Sequence, residues 1–474
     1  MKKRKTITYR IRKALLFILV AILFFNVVVP AFRPKISEEK GVNLVQAMRD
    51  EHTSSTERIR CIDENVDALI WRLRMIERAK ESIVLSTFDL REDESGTDMM
   101  AALYAAAERG VKIQILVDGA YQLLFLQNSK IFQTLCTHEN VNAKIYNPPG
   151  ITTFARLNYR MHDKYLIIDE DMYLLGGRNT NDIFLGDYKK GKNVDREILV
   201  YETEPGQGTS FQELKAYFSE ICKETHVKSY QPDSSKDSEA QRKEFRERYE
   251  KLCVMYDIKG YNNWLEDTIS VESISLLTNG THARMKEPQL LQKLEQMILA
   301  SNKVYIQTPY VICDDYMYEV LEKACRNAEV RILLNAVEKG SNPWGCTDYL
   351  NNKEKILRTG VTIHEVMNEQ ALHTKTIILD DDISVVGSFN YDIRSAYLDT
   401  EMMLVIESKE LNAHLRNMCD SYIEKSMEVS PDGTEITHDK YIPKKLSTSK
   451  QLFYNVLKVI IRPIRHLLDR KSVV

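Results

Sequence analysis

The sequence predicts an α/β protein of two similar domains, each a mixed β-sheet flanked by helices, sharing one active site behind an N-terminal transmembrane helix. Three observations carry this prediction. A strand–helix–strand phrase occurs twice, a motif from His to Asn occurs twice at matched spacing, and a long uncharged run stands near the start. The length of 474 residues suits two domains with terminal extras better than one core.

The elements follow in order. Residues 1–13 form a basic tail with seven Lys or Arg and no acid. Residues 14–32, ALLFILVAILFFNVVVPAF, are uncharged, and 19 residues of helix span about 28 Å, near the hydrocarbon thickness of a bilayer. Positive charge ahead of this run predicts a single-pass cell-membrane anchor with the N-terminus cytoplasmic and the body outside. A cleaved signal peptide is the rival, since Val29-Pro30-Ala31 loosely resembles a small-residue cleavage site, but the apolar run is long for a signal core.

Residues 82–90 (SIVLSTFDL) read as a strand, 98–109 as a helix stopped by Gly110, and 111–118 (VKIQILVD) as a second strand. The phrase returns as 303–310 (KVYIQTPY), a helix over 316–327, and 330–335 (VRILLN). These runs place the two domains at 55–228 and 265–440, joined by a charged linker over 229–264. Residues 444–474 form a basic segment in which Phe453, Val456, Leu457, Ile460, Ile464, Leu467 and Leu468 recur at three and four. That spacing gives one apolar helical face, suited to an anionic membrane surface or to packing on the body, with a kink at Pro463.

The net charge of −3 conceals a division. The two ends hold 15 of the 65 basic residues and one acid, Asp469, so the body carries about −17. An acidic body speaks against a nucleic-acid partner, and basic ends favour an anionic one. Eight scattered cysteines with no C-x-x-C pair argue against zinc and suit buried thiols.

Two windows carry the chemistry: HDKYLIIDEDMYLLGGRN from His162 to Asn179, and HTKTIILDDDISVVGSFN from His373 to Asn390. Both fit His-x-Lys, four residues, Asp, six residues, Gly-[Gly/Ser]-x-Asn. A chance match is on the order of one in ten million per starting position, so two exclude coincidence. Side chains at i and i+2 share a strand face, so His162 projects with Lys164, and His373 with Lys375. After the return strand, Gly177 and Ser388 allow the backbone to approach a substrate, with Asn179 and Asn390 two residues on. Two sets of imidazole, ammonium and amide suit a phosphoryl group. Lysines and asparagines hold its oxygens, one histidine attacks phosphorus, and the other protonates the departing oxygen.

These duplicated motifs resemble the phospholipase D superfamily, and RMHDKYLIIDEDMYLLGGRN, IQTPYVICDD and LHTKTIILDDDISVVGSFNYDIRSAYLDTE resemble its bacterial cardiolipin synthase branch. The resemblance covers most of residues 60–430. It implies transfer of a phosphatidyl group between phospholipids through a phosphohistidine, with no cofactor and no metal. Phosphatidylglycerol is the expected lipid, the second lipid is unassigned, and the partner is a membrane rather than nucleic acid. The resemblance also favours His162 as nucleophile and His373 as acid/base. It sets Asp169 and Asp380 away from the reacting phosphate, as supports of the strand turn. Each histidine needs an orienting carboxylate. Glu197 and Glu401 fall at corresponding places after the motifs, with Asp195 and Asp399 as alternatives on the same faces. A phospholipase D hydrolase that releases phosphatidic acid uses the same first half-reaction and is the alternative reading; a nuclease of the superfamily comes behind it.

Overall fold

The Ile-, Leu- and Val-rich runs are strands in a computed structural model that describes residues 2–29, 32, 34, 36, 55–151, 153–462 and 465. Two nine-stranded sheets result. The first runs in the order Ile269–Ser270, Glu57–Ile62, Glu197–Glu202, Met172–Gly176, Lys164–Ile168, Ser82–Thr87, Lys112–Asp118, Val141–Tyr146, Val227–Ser229. The second runs Ser273–Thr278, Met402–Glu407, Ile383–Gly387, Thr376–Leu379, Lys303–Gln307, Glu329–Asn335, Thr362–Val366, Ser426–Val429, Glu435–Thr437. The second order largely repeats the first.

In each sheet three consecutive strands are parallel, and the motif strand lies antiparallel beside the first of them. The crossover helices are Glu94–Glu108 and Asp315–Cys325. The first starts four residues before the predicted position because Asp93 caps it, accepting from the Gly96 amide at 3.1 Å. Asp314 does the same for Met317 at 2.9 Å. Burial on both faces explains why the motif strands Lys164–Ile168 and Thr376–Leu379 are almost uninterrupted apolar runs.

Residues 229–264 are not merely a linker. Helix Glu239–Met255 lies on helix Glu94–Glu108, burying Phe245, Tyr249 and Leu252, while its Arg246 meets Glu108 and its Arg248 meets Glu94 and Asp98. Strand Ile269–Ser270 then extends the first sheet, so the second half's own sheet begins at Ser273. One apolar core runs through the joint, with Tyr173, Ile198 and Phe211 of the first half clustering with Leu277 and Val405 of the second. The eight cysteines are free thiols, five of them buried.

The ends differ from expectation. Among the described residues no helix is long and apolar enough to cross a membrane, in place of the span expected over 14–32. Helix Lys2–Leu23 begins in the basic tail, and its apolar end passes into a π-helical turn, Phe24–Val28. There Asn26 turns inward and donates to the carbonyls of Phe154 (2.6 Å) and Ile22 (2.9 Å), while Asn158 donates to the Asn26 carbonyl. Leu16, Phe17, Leu19, Leu23 and Phe24 are exposed around it. Pro30 and Ala31 lie outside the described residues.

At the other end, helix Thr448–Ile460 packs on helix Pro343–Leu357 through Tyr454 and Leu457. Leu452, Phe453, Val456, Val459 and Ile460 face away and are exposed. The single stripe read from the sequence is thus divided, since Leu457 belongs to the packed side and Phe453, Val456 and Ile460 to the open one. Pro463, Ile464, Leu467 and Leu468 lie outside the described residues.

Glu57 and Glu202 oppose each other across the first two long strands and are both buried. Amides of Phe211 (3.1 Å) and Gly208 (3.0 Å) bind them. Burial, then the charge of Glu57, pushes the Glu202 carboxyl from its ordinary 4.5 up to about 8. A carboxyl raised on folding contributes stability that is complete below 4.5 and is lost as pH rises through about 8. The wild-type thermal midpoint should therefore fall more steeply across that interval than that of Glu202→Gln. Parallel curves would contradict the raised Glu202 carboxyl.

Candidate active site

Each motif enters its strand where one half's chain touches the other's. Met161 forms a parallel bridge with Thr400, and Ala371–Leu372 pair with Asn193–Val194. The His162 amide donates to Thr400 Oγ1 at 3.1 Å, and the His373 amide to the Val194 carbonyl at 2.7 Å. One residue beyond each of these acceptors stands a carboxylate. His162 Nδ1 lies 2.8 Å from Glu401 Oε1, and His373 Nδ1 lies 2.6 Å from Asp195 Oδ2. Each imidazole is therefore oriented by the opposite half. With each Nδ1 facing a carboxylate, chemistry at the ring falls to Nε2; Lys375 Nζ also stands 2.6 Å from His373 Nδ1.

The edge of Phe88 meets His162, and that of Phe184 meets His373, both with ring centroids 4.9 Å apart. Lys164 and Lys375 are 2% and 1% exposed. Each donates to the carbonyl of its own motif histidine, and Lys375 Nζ also lies 3.7 Å from Asp195 Oδ2. Asn179 and Asn390 are buried, and Asn179 Oδ1 and both amide atoms of Asn390 have no hydrogen-bond partner among the described residues. Buried polar groups are nearly always satisfied, so these amides suit a ligand's polar atoms. The two buried ammoniums of the same motifs favour an anion over a cation.

The two carboxylates differ. Burial pushes Asp195 up, but the charges of Lys375, His373 and Arg178 outweigh it and hold it below the carboxylate range. Burial dominates at Glu401 and pushes it well above the ordinary value, despite Lys164 and the hydroxyls of Ser388 and Ser395. Ser395 Oγ donates to Glu401 Oε1 at 2.6 Å, and Ser388 Oγ donates to Oε2. The corresponding place in the first half is Gly177, where an added Cβ would stand 2.4 Å from Asp195 Oδ1. Ser388 and Gly177 thus support or admit the carboxylates, a contact the sequence reading assigned to substrate.

Glu197 requires a correction. It meets no histidine; Arg72 holds both its oxygens, one at 2.7 Å, and Arg178 lies 3.5 Å away. Strand register explains this. The Gly177 amide donates to the Arg196 carbonyl and the Ser388 amide to the Met402 carbonyl, so Glu401 corresponds to Asp195, not Glu197. A longer loop over 180–193 shifts the linear count and hides that equivalence. Arg178 also donates to the Ile62 carbonyl at 2.9 Å and serves the fold. Asp399 pairs with Arg394 at 2.8 Å.

Asp169 and Asp380 lie at the turns, with φ of 47° and 46°. Asp169 accepts from the amides of Lys80, Glu81 and Ser82 (2.9, 2.8 and 2.7 Å), and Asp380 from those of Asn302 and Lys303 (2.8 and 3.0 Å). Both tie the motif turn to the start of the neighbouring strand. A cavity of about 370 Å³ opens beside His373 and Asn179, walled by Tyr121, Phe184, Tyr310 and Arg91. Phe88, Tyr121 and Phe184 lie outside the motifs, and no spacing marks them in the sequence; Tyr310 belongs to the phrase IQTPYVICDD.

Duplicated α/β halves with paired His, Lys and Asn define a protein of the phospholipase D superfamily. A family model described as "Cardiolipin synthase, PLD-like domain" matches residues 73–222 and 294–423, more than half of the chain, and the chain belongs to that family. It is 25% identical over 401 residues to cardiolipin synthase C of Escherichia coli K12, covering 74% of this chain and 81% of that one. It is also 25% identical over 372 residues to a cardiolipin synthase of Listeria monocytogenes serotype 4b, covering 78% and 69%. The crystal structure of phosphatidylserine synthase from Haemophilus influenzae Rd KW20 shares the fold, with a TM-score of 0.60 at 13% identity over 89% of this chain and 100% of that one.

Gly177→Ala should displace Asp195 and lower turnover on the order of 100-fold or more, as loss of an orienting carboxylate does. Glu197→Gln should instead lower the thermal midpoint by breaking a buried ion pair, with near-normal turnover per folded molecule. The opposite assignment of effects would reinstate Glu197 as the histidine's partner.

Proposed function

We propose that the protein is a membrane-attached phosphatidyltransferase of the cardiolipin synthase type, acting through a phosphohistidine on His162. The observation that carries this reading is the pair of buried imidazoles, each held at Nδ1 by a carboxylate, beside two lysines and two under-satisfied asparagines. Lys164, Lys375, Asn179 and Asn390 hold the non-bridging oxygens of a phosphodiester. His162 Nε2 attacks phosphorus, the bond to the headgroup oxygen breaks, and His373 delivers its Nε2 proton to that oxygen. A hydroxyl of a second lipid then gives its proton to His373 and attacks phosphorus, and the bond to His162 breaks.

The unequal carboxylates support these roles. Asp195, held low, can accept from the ring of His373, the acid, and Glu401, pushed up by burial, presents less negative charge to His162, the nucleophile. Phosphatidylglycerol is the expected lipid, and the relatives named cardiolipin synthase support it.

Purified protein in mixed micelles with labelled phosphatidylglycerol, with and without phosphatidylethanolamine, separates the possible outcomes. Cardiolipin is the expected product, and phosphatidic acid alone would establish the hydrolase. His162→Ala and His373→Ala should each lower turnover by several orders of magnitude with the fold retained. Near-normal turnover in either would defeat the paired-histidine scheme.

Membrane attachment through the two ends is part of the proposal. The exposed apolar side chains of residues 16–24 and the open face of helix Thr448–Ile460 support it. Removal of residues 1–32 should sharply reduce co-sedimentation with anionic vesicles, and unchanged binding would contradict it. Positive charge ahead of the apolar run supports a body outside the cytoplasm. Protease should then cut the body in intact cells from which any outer envelope has been removed; protection there would reverse the orientation.

A further inference from the structure

A second cluster of ligand-bearing side chains lies on the far edge of the second sheet. His364 stands on strand Thr362–Val366 directly opposite Glu428 on Ser426–Val429. Glu428 in turn opposes Ile436 on the last strand, so His438, two residues beyond, lies diagonally across on the same face. His438 Nε2 is 3.2 Å from Glu428 Oε2, and His364 Nδ1 is 3.9 Å from the same oxygen. One donor atom from each of the three residues lies within 4.8 Å of the other two.

Two further features set this cluster apart from an ordinary surface ion pair. His364 is fully buried, and its Nε2 has no hydrogen-bond partner among the described residues; Nδ1 lies 3.2 Å from Ser426 Oγ. Glu428 and His438 are partly exposed, which leaves an entry path and room for a water as fourth ligand.

We propose that His364, Glu428 and His438 bind a divalent cation of the zinc class. Two imidazoles and one carboxylate match that class in donor type. Ligand atoms around tetrahedral zinc stand roughly 3.3 Å apart, given bond lengths of about 2.0–2.1 Å, so the side chains need to close by about 1 Å. The site is structural rather than catalytic. Strands Lys303–Gln307 and Glu329–Asn335 separate it from the motif strand Thr376–Leu379, a lateral distance of roughly 14 Å at ordinary strand spacing. A cation there would fasten the two edge strands to the sheet just before the chain runs to the C-terminal helix. No local motif announces it, because the three ligands are separated by 64 and 10 residues and meet only through strand register.

The full chain, purified in detergent and stripped with a chelator, is titrated with Zn²⁺ against a chromophoric competitor, and with Co²⁺ for its visible ligand-field bands. One site per chain is expected, with tetrahedral Co²⁺ absorption. His438→Ala and Glu428→Gln, both at partly exposed positions, should weaken it by about 100-fold or more, at least the effect of losing a metal site's supporting residue. Zn²⁺ should also raise the thermal midpoint of the wild type and not that of the variants. Equal Zn²⁺ binding by wild type and both variants, or none by the wild type, would overturn the proposal and leave Glu428 and His438 as an ion pair.

Discussion

Two buried carboxylates, Asp195 and Glu401, each hold the histidine of the opposite half, and most of the architecture serves that exchange. It requires each motif to begin on a segment that pairs across the joint, which the bridges at Met161–Thr400 and Ala371–Leu372 with Asn193–Val194 accomplish. It requires a common core, so that the halves cannot separate and strand two charges in apolar surroundings. Removing one partner from a buried pair costs about 3–5 kcal/mol, a large part of a protein's net stability. Neither half contains a complete site.

The same constraint reconciles an acidic body with an anionic substrate. The body's charge is spread over surface carboxylates, where solvent and salt screen it. At the site the ammoniums of Lys164 and Lys375 are buried, so their field acts at short range with little screening. Net charge argues about partners at a distance, and these two lysines decide what binds. Apolar side chains are exposed at both ends of the chain, and the cavity beside His373 is walled by tyrosine and phenylalanine.

Much of this was legible in the sequence because it depends on local pattern. Period-two and continuous apolar runs marked the central strands, and the repeated spacing from His162 to Asn179 and His373 to Asn390 marked the pairs of histidine, lysine and asparagine. What depended on long-range register was not legible. Glu197 looked equivalent to Glu401 because each ends a local Asp-x-Glu (Asp195 to Glu197, Asp399 to Glu401), yet the hydrogen bonds of Gly177 and Ser388 make Asp195 the equivalent residue. Helix Glu239–Met255 read as part of a charged linker because only a few positions, among them Phe245 and Tyr249, are apolar enough to show its packing. Asn26 read as an interruption of an apolar run, and its bonds to Phe154 and Asn158, far away in sequence, left no mark there.

The crossed pairing is tested most directly by the titration of the two histidines, followed by NMR in protein labelled at the imidazole nitrogens. Asp195→Asn should lower the midpoint of His373 and leave His162 in place, because an ionised partner stabilises imidazolium. Glu401→Gln should perturb His162 and leave His373 unchanged. Shifts confined to the histidine of the mutated half, or absent from both, would contradict the account.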